Sequence, residues 1–388
     1  MSDRRTALII GAGIGGLAAG LSLRRAGWDI RIHERAASPR ELGFGLALAP
    51  NALSALHELG VAEHVVRAGA RLAKIELRHT NGRVLRRLDV QVGLPAVVAL
   101  RSDLHGALLA AVGDYSLRLS SEAMSFSESR RGVTVHFKDG STDTGTIVIG
   151  ADGVHSTVRK RLHPNERSPR PSGFCAVRGV AYGVGDYLGD LSGVSYLGDA
   201  IEAATVRASS DADAVYWYMS LRSQDVMAST PKAILDQLCG GFEPALGAIL
   251  LATKPDDMRF DDLFQRDALR TWGVGHVTLL GDAAHLLMPH TGQGAAQALE
   301  DAVALGLVMA GSGSVEQALR QYEAVRSRRT RTFIRLGPFI ARITTTSSVA
   351  IKTVRSLALR LTPERVLALS ARGFQRDPHR ELRARPTA

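Results

Sequence analysis

Ala7-Leu-Ile-Ile10 runs directly into Gly11-Ala-Gly13-Ile-Gly-Gly16, and the reading of these ten residues decides the fold. Four consecutive apolar residues predict a short buried strand. Leu17, Ala18 and Leu21 then recur at helical spacing up to Arg25, Gly27 ends that helix, and Ile30-Arg-Ile32 resumes a strand. Strand, Gly-x-Gly-x-x-Gly, helix, strand is a dinucleotide-binding pattern. Gly11 permits the tight turn, Gly13 lets backbone approach a pyrophosphate, and Gly16 allows close helix–strand packing. The helix start offers unpaired N–H groups and a partial positive charge to that pyrophosphate. Glu34 stands at the end of the next strand, where a carboxylate accepts bonds from ribose hydroxyls. An acid rather than a base there favours an adenosine without a 2′-phosphate, which leaves FAD and NAD both open.

Outward from this unit, a helix is expected over about 52–59 and a β-hairpin over about 74–88 with its turn at Asn81-Gly82. A helix follows at 104–112, then a hairpin pairing Val133–Phe137 with Thr146–Ile149 around Asp139-Gly140. Residues 171–266 are strand-rich, with Ala214–Leu221 the clearest strand and a helix from about Pro231 to Cys239. Val277–Leu280 reads as a buried strand leading into Gly281-Asp282, with helices beyond. The pattern predicts a parallel α/β layer visited three times, with a mostly antiparallel module inserted between visits.

Composition narrows the function classes. The 388 residues are 45% hydrophobic with 39 glycines, which excludes disorder. The net charge of +10 is local: from Arg320 onward there are 16 Lys/Arg against 4 Asp/Glu, while residues 1–319 carry 32 against 34. A near-neutral body disfavours a nucleic-acid-binding surface. Cys175 and Cys239 are too few for a disulfide scaffold and sit in no metal-ligand spacing, so no metal is expected. The N-terminus lacks a signal-peptide core and no stretch of about twenty apolar residues occurs, so a cytoplasmic protein is expected.

Two later motifs favour FAD. Ile147-Val-Ile-Gly-Ala-Asp152-Gly153 through Arg159 and Leu279-Leu-Gly281-Asp282-Ala-Ala-His285 each put a carboxylate at a strand end, where α/β sheets hold ligands. Thr291-Gly292-Gln-Gly294-Ala295 then opens a helix carrying Glu300 and Asp301, and such a start can present N–H groups to an anionic ring edge. With the first glycine turn, the loop Gly43–Ala52 and Leu100-Arg101-Ser-Asp-Leu104, these motifs cover about residues 5–330. In this order they resemble the single-component FAD-dependent aromatic hydroxylases of the p-hydroxybenzoate hydroxylase type, nearest the salicylate, 3-hydroxybenzoate and urate hydroxylase branch.

The resemblance implies an α/β fold: a Rossmann-like FAD-binding domain (1–72, 97–170, 270–330) interleaved with a mostly antiparallel β-sheet substrate domain (73–96, 171–269), plus basic C-terminal helices (331–388). It implies a monooxygenase that uses NADH or NADPH and O2 to hydroxylate an electron-rich aromatic or heteroaromatic molecule through a C4a-hydroperoxyflavin, as a monomer or homodimer. Glu34 would bind the adenosine ribose with Arg35 beside it. Arg101 and Asp282 would reach the ribityl or pyrophosphate region, with Ala47 also at the cofactor. Asp152, near Arg159, would link FAD and nicotinamide nucleotide binding, and Gly292, Gly294 and Ala295 would face the flavin edge. No protein nucleophile is required, because the cofactor carries the oxygen chemistry.

For the substrate, Arg178 is a candidate to orient an anionic or carbonyl group. Tyr216 and Tyr218 share one strand face and could orient or deprotonate a phenol, and His290 is a candidate to touch substrate or flavin. His285 reads as structural. The alternatives are a flavin-dependent reductase or halogenase, a hydroxylase or epoxidase of a lipophilic quinone or phenol at a membrane surface, and a non-enzymatic FAD-binding protein. The tail, with Phe333–Leu361 and Arg365–Leu369 broken at Pro363, reads as cationic amphipathic helices. It is expected to form a cap with solvated arginines, with acidic membrane lipid as the other reading.

Overall fold

The computed structural model describes residues 5–38, 44–89, 96–113, 116–129, 132–210, 213–226, 230–311, 313–363, 366, 379 and 382. Gly43 and, apart from Val366, the stretch Arg365–Leu369 therefore lie outside the described residues.

Thr6–Ile10 is the central strand of a five-stranded parallel sheet, flanked by Asp29–His33 and Ile147–Gly150, with Val277–Leu279 and Leu117–Arg118 at the edges. Strands covered on both faces are apolar throughout, and Ala7, Leu8, Ile9, Ile147, Val148 and Ile149 are fully buried. The helices Ile14–Arg25 and Gly294–Met309 pack against each other in this core. Three visits of the chain build the sheet, as the pattern predicts.

A seven-stranded mixed sheet forms the second layer, ordered Met258–Gln265, Arg170–Tyr182, Ala214–Arg222, Ile201–Arg207, Gly193–Leu197, Lys74–His79, Val84–Asp89. The hairpin around Asn81-Gly82 thus joins the inserted module. One face of the sheet buries Trp217, Met219 and Tyr196 beneath the helices Pro231–Leu238 and Pro244–Leu251, the second of which carries no signal in the sequence reading. The Trp217 indole donates to Thr253 Oγ1 at 2.7 Å.

One expected pairing is corrected. Gly132–Phe137 pairs with Thr142–Gly145, not with Thr146–Ile149. Ile147–Gly150 is the apolar partner of the central parallel strand. The tight turn at Asp139-Gly140 closes a short local hairpin, and all four buried residues of the next strand are claimed by the core.

The C-terminal helix spans Val315–Thr344 and crosses the expected boundary at 331 without a break, with Pro338 inside it. Residues 345–348 separate it from the helix Val349–Leu361. The expectation of solvated arginines fails for several of them. Arg326 is fully buried in ion pairs, and Arg329 pairs with Glu300. Arg355 donates to the Ile343 and Thr344 carbonyls at 2.9 and 2.8 Å. The end carbonyls of one helix thereby receive a basic side chain from the next. No helix among the described residues is long and apolar enough to cross a membrane.

Candidate active site

All strands of the first sheet run parallel, so the residues following them emerge on one edge. Gly11, Glu34, Asp152 and Asp282 come from four separate strands and converge there. Gly11 has φ +106, and an ideal Cβ on it would stand 2.5 Å from the Ala151 carbonyl oxygen. The turn between two strand ends therefore closes only with glycine. The helix that follows has Gly13 as its N-cap and no side-chain cap bond, so its first turn keeps its N–H groups for a ligand. Glu34 accepts from the Ala12 and Ala36 N–H groups, both at 2.9 Å, which fixes its carboxylate beside the glycine turn. Arg35 is exposed next to it, and Ala47 is exposed on the strand Gly45–Leu48.

Asp152 Oδ2 accepts from the Thr157 and Val158 N–H groups at 2.7 and 3.2 Å and so serves the following helix. Its Oδ1 is shielded and has no partner among the described residues, and burial raises its carboxyl above the ordinary range. Asp282 is exposed on the sheet edge, yet the protein packed around it counts against its charge. Burial raises its carboxyl, with His285 and Arg101 opposing. Arg101 opens the helix Arg101–Val112 and donates its backbone N–H to the Phe44 carbonyl at 2.7 Å.

A buried ionic network fixes this edge from behind. Asp301 accepts from the Gly281 N–H at 3.0 Å, contacts His285 Nε2 at 2.5 Å and pairs with Arg326 Nε at 2.6 Å. Glu300 takes Arg326 Nη1 at 2.5 Å and Arg329 Nε at 2.7 Å, and accepts from Asn51 Nδ2 at 2.6 Å. Burial works against the Arg326 charge, but Glu300 and Asp301 more than offset it and hold its pKa above the ordinary value. Asp301 is likewise pushed up by burial and drawn lower overall by His285 and Arg326. Arg159, fully buried, bonds the Ala283 and Ala284 carbonyls at 2.9 and 3.1 Å and pairs with Glu166. It therefore positions the turn that carries Asp282.

The free face of the seven-stranded sheet meets this edge. Antiparallel partners in register share a face. Arg178 lies opposite Tyr218, and Ser220 lies opposite both Ala176 and Glu202. The Tyr216 and Tyr218 rings are 6.4 Å apart, centroid to centroid. The Tyr218 hydroxyl donates to Glu202 Oε1 at 2.8 Å, and Ser220 Oγ lies 2.9 Å from His290 Nε2. Arg178 Nη1 lies 3.8 Å from Asp261 Oδ2. Tyr216 packs directly under Gly45, where an ideal Cβ would meet its Cγ at 2.3 Å. Gly45→Ala is therefore expected to displace the Tyr216 ring and cost about 1–3 kcal/mol of stability, seen as a lower urea midpoint; an unchanged midpoint contradicts this packing.

The family described as FAD binding domain covers residues 4–336 of the chain. The chain belongs to this family. It is 31% identical over 386 residues to the aurachin C monooxygenase/isomerase of Stigmatella aurantiaca, spanning 97% of this chain and all of that one. It is 30% identical to the 6-hydroxynicotinate 3-monooxygenase of Pseudomonas fluorescens, with coverage of 87% and 91%. The Klebsiella pneumoniae HpxO structure with FAD and uric acid superimposes with a TM-score of 0.89 at 24% identity, covering 97% of each chain. As a member of this family the chain is a flavoprotein monooxygenase with FAD as cofactor. The residues present fit that cofactor: a glycine turn that a Cβ would block, an uncapped helix start, and Glu34 anchored beside both.

For the FAD-binding family member, the expected cofactor residues Gly11, Glu34, Asp152 and Asp282 share one sheet edge. Gly292, in a left-handed turn, precedes the helix that Gly294 and Ala295 begin. His285 is buried between Asp301 and the Trp272 ring. Sequence reading missed Glu202, Ser220 and the Glu300–Arg326 pairing. Glu202 was legible only through the alternation Glu202-Ala204-Val206, which puts an acid on the face shared with Tyr218.

Burial holds the His290 imidazole below its ordinary 6.5, with Glu202 opposing and Arg178 reinforcing. Burial lowers His33 and His163 as well. Between the folded and unfolded values the unfolded chain binds more protons, so stability rises with pH across that window. The melting temperature is expected to hold near pH 7 and fall as pH drops below about 6.5. His290→Gln is expected to flatten part of that fall; a melting temperature that does not move on acidification contradicts the assignment.

Proposed function

We propose that the chain uses NAD(P)H and O2 to place one oxygen on an electron-rich ring, a phenol or hydroxylated nitrogen heterocycle, held between the cofactor edge and the free face of the large sheet. Bound FAD would accept the hydride and activate O2. Glu34, with Arg35 beside it, would hold the adenosine ribose. The turn from Gly11 through Gly13 to Gly16 would hold the pyrophosphate. Arg101 and Asp282 would hold the ribityl region with Ala47 alongside, Asp152 would link FAD and nicotinamide binding, and Gly292, Gly294 and Ala295 would face the flavin edge. Arg178, Tyr216 and His290 would orient the ring.

The observation that carries this reading is the meeting of the two layers. Tyr216 touches Gly45 and Ser220 bonds His290, so the polar, aromatic face of the sheet is joined to the cofactor half at two points. Burial pushes the Tyr216 phenol up to about 12 and raises Tyr218 well above its ordinary value, with Glu202 adding to the latter. Both hydroxyls therefore stay protonated at neutral pH and position the ring rather than deprotonate it. His290, kept neutral by burial, is the acceptor available for a substrate proton. The 6-hydroxynicotinate 3-monooxygenase, 30% identical, is named for a hydroxylated nitrogen ring.

A panel of phenols, hydroxypyridines and hydroxyquinolines, scored by NADH and NADPH consumption, tests the proposal. Stimulation by at least one class is expected, and consumption indifferent to every ring contradicts it.

A further inference from the structure

Glu202 sits at the start of the strand Ile201–Arg207, on the face that carries Tyr218, Ser220 and Arg178. Its two oxygens are used unequally. Oε1 accepts the Tyr218 hydroxyl at 2.8 Å, whereas Oε2 is closed off from water and has no hydrogen-bond partner among the described residues. A shielded carboxylate oxygen left idle is costly, and proteins seldom leave one without a use. His290 Nδ1, reached through Ser220 on the neighbouring strand, is idle in the same way. Two unused polar atoms thus belong to side chains bonded to Tyr218 and Ser220 of the same strand.

The local charges indicate which kind of ligand these atoms serve. Arg178, the cation on this face, is drawn toward Asp261 at 3.8 Å. Arg355 lies within electrostatic reach of Glu202 and keeps its charge while its Nη1 bonds the Ile343 and Thr344 carbonyls, so it favours Glu202 as an ionised acceptor. A ring carrying a carboxylate would bring its charge toward Glu202. A neutral ring carrying an N–H or O–H would instead fill the idle acceptor.

We propose that Glu202 determines specificity by accepting a hydrogen bond through Oε2 from an N–H or O–H of a neutral heteroaromatic substrate, so that the site selects donor-bearing rings over aromatic carboxylates. This deepens the reading of the site given above and rests on it. Tyr218 engages the carboxylate through Oε1 and leaves Oε2 as its unused acceptor.

The FAD-loaded full-length enzyme is titrated calorimetrically with 4(1H)-quinolone, 1-methyl-4-quinolone and benzoate. The wild-type chain is expected to bind the N–H quinolone at least about tenfold more tightly than its N-methyl analogue or benzoate, the span of one charge-assisted hydrogen bond. In Glu202→Gln the amide oxygen stays with Tyr218 and the amide NH2 turns toward the ring. The preference should then shrink to within about threefold or invert, with FAD content and melting temperature retained.

A wild-type enzyme indifferent to N-methylation overturns the inference, with no variant needed. So does a Glu202→Gln enzyme that keeps the wild-type ratio. If such rings bind and raise NAD(P)H consumption while the ratio ignores Glu202, this inference alone falls. If no aromatic ring binds or raises consumption, the reading of the site falls with it.

Discussion

Arg326→Ala is expected to lower the unfolding free energy by about 3–5 kcal/mol, the usual cost of leaving buried charge without its partner. Arg326 is 0% exposed, and its guanidinium pairs with Glu300 at 2.5 Å, with Asp301 at 2.6 Å and with Gln297 Oε1 at 2.7 Å. Removing it leaves two adjacent carboxylates inside a helix that is buried along nearly its whole length. Arg329 and His285 cover only part of that charge. Arg326→Lys should recover a fraction, because one ammonium cannot reproduce the planar fork that spans both acids. The exposed pair Lys232–Asp236 gives the contrast. Lys232→Ala should cost under about 1 kcal/mol. Urea unfolding of the three variants measures these differences; equal losses for Arg326→Ala and Lys232→Ala would contradict the network. Asp301 also binds the Gly281 N–H, so loss of FAD is expected to accompany the loss of stability.

The second large effect is on the cofactor. Gly11→Ala is expected to give a colourless protein whose FAD affinity is down by at least about 100-fold. The added Cβ would stand 2.5 Å from the Ala151 carbonyl oxygen, at a φ of +106 that side-chain-bearing residues seldom adopt. Relief requires the ends of Thr6–Ile10 and Ile147–Gly150 to part, which moves the backbone donors away from the pyrophosphate. Gly27 is the control: its φ is +83, yet nothing lies within 4 Å of a Cβ there. Gly27→Ala should stay yellow and lose only about 1 kcal/mol. Flavin absorbance after gel filtration separates the two, and a yellow Gly11→Ala protein would contradict this placement of the cofactor.

The parts legible in the sequence were those in which local pattern and tertiary role agree. Ala7–Ile10 reads as a buried strand because four consecutive apolar residues run straight into a glycine turn, and the core buries all four. Asp152 and Asp282 were legible because each follows an apolar run that can only be a core strand. The Asp139-Gly140 turn misled because a tight turn identifies a hairpin without stating where its second strand ends. Two consecutive strand-compatible runs, Thr142–Gly145 and Ile147–Gly150, compete for the pairing, and burial decides it. The tail misled for the opposite reason. Charge counted along a chain treats each arginine as solvated, whereas Arg326 answers to Glu300 and Asp301 some 25 residues earlier. For Glu202 the alternation of its strand shows only the face it lies on, because its significance depends on Tyr218, Ser220 and His290, which separate segments bring together.

The most direct test of the central claim is product mass under labelled dioxygen. Purified yellow protein, NAD(P)H and an aromatic that stimulates its oxidation are incubated with ¹⁸O2. Incorporation of one labelled oxygen atom into the ring is the predicted result. Unlabelled product, or NAD(P)H oxidation that yields only hydrogen peroxide with every stimulating ring, would contradict it.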